Sequence, residues 1–306
     1  MDASEEPKQA NRYPAPAAIG VMFALIFIAG LVFIFMLALP MRVTVESQQL
    51  AILPSAQPIP EKEYTIKKIV FGYSKKGRPI EGYEIGSGDR VLFLHGAIHG
   101  KEMGSAMLLR ELVLEIAANP HILTPSKKLV IIPIVNPDGY YDRTDKLNAN
   151  GVNLNLNFPT ADWQTYGPEG TFAGTEPFSE TESRVLRDVV AQYKPDTMIA
   201  YHSFGALVSP EMVTSSRELA RWYAEKTGYT YYDIWDYPGT ATKWFEESTE
   251  GAAITVELTK DLFSDWDINK EALRELIGSE ALIPTVLQDS PEGSAAPSPA
   301  PHPYGF

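Results

Sequence analysis

Val91–Leu94, four apolar residues in unbroken succession, constrains the fold more than any other stretch of the chain. A run without polar alternation reads as a strand buried on both faces. It passes into the glycine-punctuated segment His95–Gly100, and a helical pattern opens at Glu102 and runs to Ala118, with Met103, Ala106, Leu109, Leu112, Val113 and Ile116 on its apolar side. Leu129–Val135 repeats the apolar run, and Thr197–Tyr201, Tyr229–Tyr232 and Ala252–Leu258 read as further strands. Between them, capping-box patterns at Ser179 with Glu182 and at Ser215 with Glu218 announce two helices, the second stopped by Gly228. A short helical pattern covers Thr240–Glu247, Lys270–Leu287 reads as the closing helix, and Tyr64–Ser74 with Ile80–Ile85 reads as a hairpin turning at Lys76-Gly77. Strands that alternate with helices imply an α/β domain: a mixed, largely parallel twisted sheet with helices on both faces. In such sheets ligands lie beyond the C-terminal strand ends. Tyr140–Phe178 lacks any period, and a loop of that length in a compact domain is expected to be either functional or poorly ordered.

The flanks read differently, which gives an expected division into a tail (1–14), a membrane span (15–41), a linker (42–63), the folded domain (64–288) and a second tail (289–306). No charged residue occurs from Tyr13 to Met41, long enough for a transmembrane helix and longer than a signal-peptide core. Lys8 and Arg12 before it, against Arg42 after it, place the N-terminus in the cytoplasm and the domain outside as a single-pass membrane protein. Pro54, Pro58 and Pro60 stiffen the linker, and the Pro-, Ala- and Ser-rich last segment is expected to be disordered. A net charge of −13 argues against nucleic acid as a partner, and with no cysteine any metal must be held by His, Asp or Glu.

His99 and Glu102 stand three apart at the strand-to-helix junction, a nitrogen and oxygen pair suited to Zn²⁺. His202 follows the Thr197 strand, and Glu257 lies near the end of the Ala252 strand. Each also has a plainer reading: a helix-start glutamate, a satisfied buried histidine, a strand-end surface carboxylate.

Taken together the segments resemble the zinc carboxypeptidase family of the carboxypeptidase A type, over nearly the whole domain. The carrying motifs are GYSKKGRPIEGYEIG (Gly72–Gly86), GAIHGKE, NPDG, NANGVNLNLNFP (Asn148–Pro159), YHS and TVEL. The resemblance implies that His99, Glu102 and His202 hold one Zn²⁺ and that Glu257 acts as general base and then general acid. The short NPDG-to-NFP interval is similar to the bacterial branch acting on murein peptides, which implies a murein stem peptide as substrate.

The loop also departs from the pattern G-V-D-x-N-R-N. Leu156 stands where the family has the arginine that clamps a terminal carboxylate, and Asn153 where an aspartate orients the first histidine, while Asn155 is kept. The upstream catalytic cation corresponds to Lys146, or to Arg143 if the loop shifts, and the mobile tyrosine to Tyr237, with Trp235 as the alternative. Lys101 and Lys146 are expected to meet carboxylates of an acidic stem peptide. Three readings follow: a zinc peptidase or amidase with altered end recognition, a zinc-retaining but catalytically weak peptide- or murein-binding protein, and a small-amide deacylase.

Overall fold

The apolar run at Val91 lies where its composition requires, in the middle of a sheet. The computed structural model describes residues 65–281, which belong to one compact unit, Glu61–Phe306. In chain order its strands are β1 (Ile66–Tyr73), β2 (Pro79–Gly86), β3 (Arg90–Gly96), β4 (Lys127–Ile132), β5 (Thr197–Ser203), β6 (Leu207–Pro210), β7 (Thr230–Tyr231) and β8 (Ala252–Leu258). They form one sheet in the order β1-β2-β4-β3-β5-β8-β6-β7. The four central strands β4, β3, β5 and β8 are parallel. Antiparallel pairs extend the sheet on both sides, β1 with β2 and β2 with β4 on one, β6 with β8 on the other. The expected mixed sheet is therefore present.

The helices are α1 (Met103–Ala118), α2 (Pro137–Asp142), α3 (Thr181–Tyr193), α4 (Thr214–Thr227), α5 (Ala241–Ser248) and α6 (Trp266–Gly278). Strand pleating sends alternate side chains to opposite faces, and the two cores follow that alternation. Leu92 and Leu94 join a cluster with Leu112 of α1, Trp222 of α4 and Leu273 of α6. Val91 and Phe93 join a second with Leu186 of α3 and Phe245 of α5. Helices thus cover both faces, and the strand ends are left to the loops.

Several local expectations are corrected. Neither capping box forms. The N-cap of α3 is Glu180 without a side-chain cap, because Asn157 Oδ1 accepts from both Glu180 N and Ser183 Oγ. At α4 the N-cap is Val213, and a carboxylate from another helix does the work: Glu246 Oε2 accepts from Met212 N at 2.7 Å and Val213 N at 3.0 Å. Gly228 does end α4, in the left-handed conformation at φ 72°. The last helix begins at Trp266 and ends at Gly278, earlier at both ends than its pattern suggested. Between α2 and α3 only short 3-10 turns interrupt irregular chain, as the absent period implied.

The expectation of a preceding transmembrane helix, and with it a single-pass membrane location, is also corrected: among the described residues no helix is long and apolar enough to cross a membrane. The span assigned to 15–41, the linker and the 289–306 tail lie outside the described residues.

Candidate active site

The turn after β3 is shaped before any metal is considered. Ala97 takes φ 44°, a left-handed backbone unusual for a residue with a Cβ. It is held there by Ser105 Oγ, which accepts from Ala97 N at 2.8 Å and donates to the Glu102 carbonyl at 2.7 Å. Gly104 lets α1 start against the 260–263 loop, since a Cβ there would lie 2.1 Å from the Phe263 carbonyl oxygen. The result throws His99 and Glu102 to the same side.

His99 Nδ1 lies 2.7 Å from Glu102 Oε1, and His202 Nδ1, from the end of β5, lies 3.1 Å from Glu102 Oε2. All three side chains are buried or nearly so, and their donor atoms fall within 4.8 Å of one another. His99 Nε2 sits 3.0 Å from Asn153 Oδ1, and that oxygen also accepts from Asn155 N at 3.1 Å. The backbone N–H fixes which way the Asn153 amide points, so Nε2 is the donating nitrogen of His99. The lone pair of Nδ1 is then turned toward the Glu102 carboxylate, an arrangement that calls for a positive centre between them. Glu102 Oε2 is moreover buried without a well-aligned hydrogen bond. Burial alone raises the Glu102 carboxyl, and positive charge on His99 and His202, or on a cation held between them and the carboxylate, outweighs burial and lowers it below the usual carboxylate range. Two imidazoles and a carboxylate converging beside a cavity form the donor set of an open zinc site. The residues fit the metal.

Glu257 lies directly across from His202 in the β5–β8 register and lines the same cavity. Burial pushes its carboxyl above the ordinary range; His202 opposes this, and Glu102 and Asp261 add to it. A carboxyl so placed is suited to exchange a proton near neutrality.

Of the remaining residues singled out in the sequence, Lys101, Lys146, Asn153, Asn155, Leu156, Trp235 and Tyr237 all line this cavity. Lys101 Nζ is 2.7 Å from Asp145 Oδ1. Leu156 is buried, and its Cδ1 would be 2.5 Å from a Cβ on Gly167. Trp235 and Tyr237 stand with ring centroids 5.8 Å apart. Arg143 is not brought in: it is exposed, caps α2, and points Nη1 at Met103 Sδ, 3.6 Å away.

Two features escape the sequence reading. His95, on β3, is fully buried with both ring nitrogens unpartnered, and burial, aided by His202, lowers it to about 3. It is a neutral neighbour of the donor cluster. The other is a polar group of cavity residues: Ser209, Glu211, Thr240, Thr242 and Thr255. Its signal was the short VSPE segment ending β6.

Comparisons with known proteins agree with this geometry. A family model described as zinc carboxypeptidase matches residues 61–218. Carboxypeptidase B of Helicoverpa zea is 29% identical over 168 residues, covering 44% of this chain and 38% of that protein. Murein peptide amidase A of Escherichia coli (strain K12) is 28% identical over 174 residues, covering 51% of this chain and 65% of that protein. The chain thus spans less than two thirds of the length of either curated relative. Among solved structures, bovine thrombin-activatable fibrinolysis inhibitor superposes with TM-score 0.61 at 19% identity, over 70% of this chain and 88% of that one. Murein-tripeptide amidase from Escherichia coli O157 gives TM-score 0.55 at 24% identity, over 70% and 92%. At these identities the structures speak for the fold alone.

Proposed function

The chain belongs to the zinc carboxypeptidase family, and on that premise we propose that it is a zinc-dependent hydrolase, a peptidase or amidase that cuts a peptide bond in murein stem peptides. The observation that carries the reading is the convergence of His99, Glu102 and His202 within 4.8 Å, at a cavity that Glu257 also lines. Similarity to murein peptide amidase A supports the substrate class.

Held by His99, Glu102 and His202, zinc would polarise the scissile carbonyl and acidify a water. The chain's own part is proton traffic and placement. Glu257 takes the proton as water adds to the carbonyl carbon, then returns it to the departing amine nitrogen as the C–N bond breaks. Its raised affinity for a proton suits it to hold that proton between the two events. Lys146 offers a positive charge to the oxygen where negative charge develops, and Tyr237 closes the cavity from the side of Trp235. Leu156 supplies no fork of donors for a terminal carboxylate, where an arginine would bind it bidentately. End recognition is therefore weak, and cleavage of a free-acid peptide and its amidated twin should differ by no more than about tenfold, ~1.4 kcal/mol.

The test is one set of assays. The zinc-loaded protein should hydrolyse stem peptides, lose that activity to a chelator, and regain it with zinc. Glu257→Gln should keep zinc and fold while turnover drops by about 10²–10⁴. Retained zinc with no turnover of any peptide by the wild type would instead favour a murein-binding protein.

A further inference from the structure

Resting on the zinc-hydrolase reading above, we propose that His95 is a positioning residue for His202: through one buried water its imidazole accepts the hydrogen of His202 Nε2, and so keeps His202 Nδ1 turned toward the metal. Register brings the two rings together. β3 and β5 pair in parallel, with Phe93 opposite Met198 and His95 opposite Ala200. Phe93 and Met198 belong to the core cluster on the side of α3 and α5. His95 and Ala200, each two residues further on, share that face, and so does His202, two beyond Ala200. With strands about 4.8 Å apart and a rise of about 3.3 Å per residue, His95 and His202 are diagonal neighbours, their Cα atoms about 8 Å apart. Ala200 stands between them in the ladder, and on its other side the register sets Thr255. A lone methyl at that point leaves space beside the two imidazoles. Phe93 packs against His95 along the strand, ring centroids 5.5 Å apart, and closes the apolar side.

The hydrogen-bond needs of the two rings match. His202 is 2% exposed and His95 0%. His202 Nδ1 faces Glu102 Oε2 at 3.1 Å, which makes it the nitrogen for a metal and leaves the hydrogen on Nε2. That Nε2 is buried without a partner in the protein, and so are both nitrogens of His95. Burial, aided by His202, keeps His95 neutral, and a neutral imidazole has one donor and one acceptor nitrogen. Buried polar atoms are almost always paired, with protein or with water. One water joins nitrogens about 5–6 Å apart, its oxygen accepting from His202 Nε2 while one of its O–H groups donates to the bare nitrogen of His95. His99 meets the same need differently, through Asn153 Oδ1 at 3.0 Å. Each ligand histidine thus has a partner for the nitrogen remote from the metal, and such partners fix ring orientation and strengthen the ligand.

The test compares the full-length wild type with His95→Phe, which keeps a ring but has no acceptor, and His95→Gln, whose amide oxygen accepts. Zinc retention is read as the chelator concentration that strips half the metal. His95→Phe should give up zinc about 10–100-fold more readily, and His95→Gln should stay within about threefold of the wild type. Nitrogen-15-resolved proton spectra of the zinc-loaded proteins should show the His202 Nε2 hydrogen at low field in the wild type and in His95→Gln, and shifted upfield in His95→Phe. A merely structural role would lower the melting temperature of metal-free His95→Phe. That temperature should instead hold, because the ring removed has no partner in the protein. Unchanged retention in His95→Phe, or equal losses in both variants, would overturn the role of His95 and leave the hydrolase standing. Retention that depends on His95, with no peptide cleaved by the wild type, would sink the hydrolase and keep that role. If His95→Phe does not fold, the wild-type spectrum decides: a His202 Nε2 hydrogen without the low-field shift overturns the proposal. A wild type that holds no zinc would overturn both.

Discussion

Asn153 shows how much one atom can set. Its Oδ1 holds His99 Nε2 at 3.0 Å, and so decides which imidazole nitrogen is free for a metal. An amide oxygen carries only a partial charge, whereas a carboxylate in the same place would make the imidazole a stronger base and a better ligand. Asn153→Asp should therefore tighten zinc retention by about 10–100-fold, read as the chelator concentration that strips half the metal. Unchanged retention would mean that the contact orients the ring without tuning it. The spacing of His99 and Glu102, and the place of His202 after a strand, made the donor set legible in the sequence. His95 was not legible, because a histidine inside an apolar run gives no sign of whether its nitrogens find partners. Leu156 was legible as a departure, but its packing against Gly167 was not.

Among the elements, α4 is the instructive one. Its pattern suggested a local cap at Ser215 with Glu218, yet it is the N–H groups of Met212 and Val213, leading into the helix, that are held, by Glu246, thirty or more residues away in sequence. Ser216 completes the link, donating to Glu246 Oε1 at 2.6 Å and accepting from Ala253 N at 2.9 Å. A charged acceptor for three donors outcompetes a hydroxyl for one. Glu246→Ala should cost about 1–3 kcal/mol in urea unfolding, whereas Ser215→Ala should stay within about 0.5 kcal/mol. Equal effects would restore the local cap. The same long-range logic explains what the sequence withheld at this scale. The buried central strands announce themselves through continuous apolar runs, but β6 is four residues ending in proline, and only its pairing with β8 and β7 makes it a strand. The polar end of the cavity stayed hidden with it.

For the molecule as a whole, the donors come from two places that only the finished sheet unites: the turn after β3, and the end of β5. Zinc bound there joins the two like a clasp and favours the native state by mass action, about 2.7 kcal/mol at a hundredfold excess over its dissociation constant. Chelation should lower the melting temperature by roughly 5–10 °C, and His202→Ala, already unable to hold the metal, should show no further drop. The parallel pairing of β3 with β5 also carries a kinetic consequence. It joins Leu92 to Thr197 and Phe93 to Met198, partners about a hundred residues apart along the chain. Long loops must close before such contacts return any energy, so the search for this register is slow and comes late. The metal site can exist only once that search has ended. Zinc should therefore leave the refolding rate almost unchanged and act by slowing escape from the native state, making its loss a matter of lifetime more than of assembly.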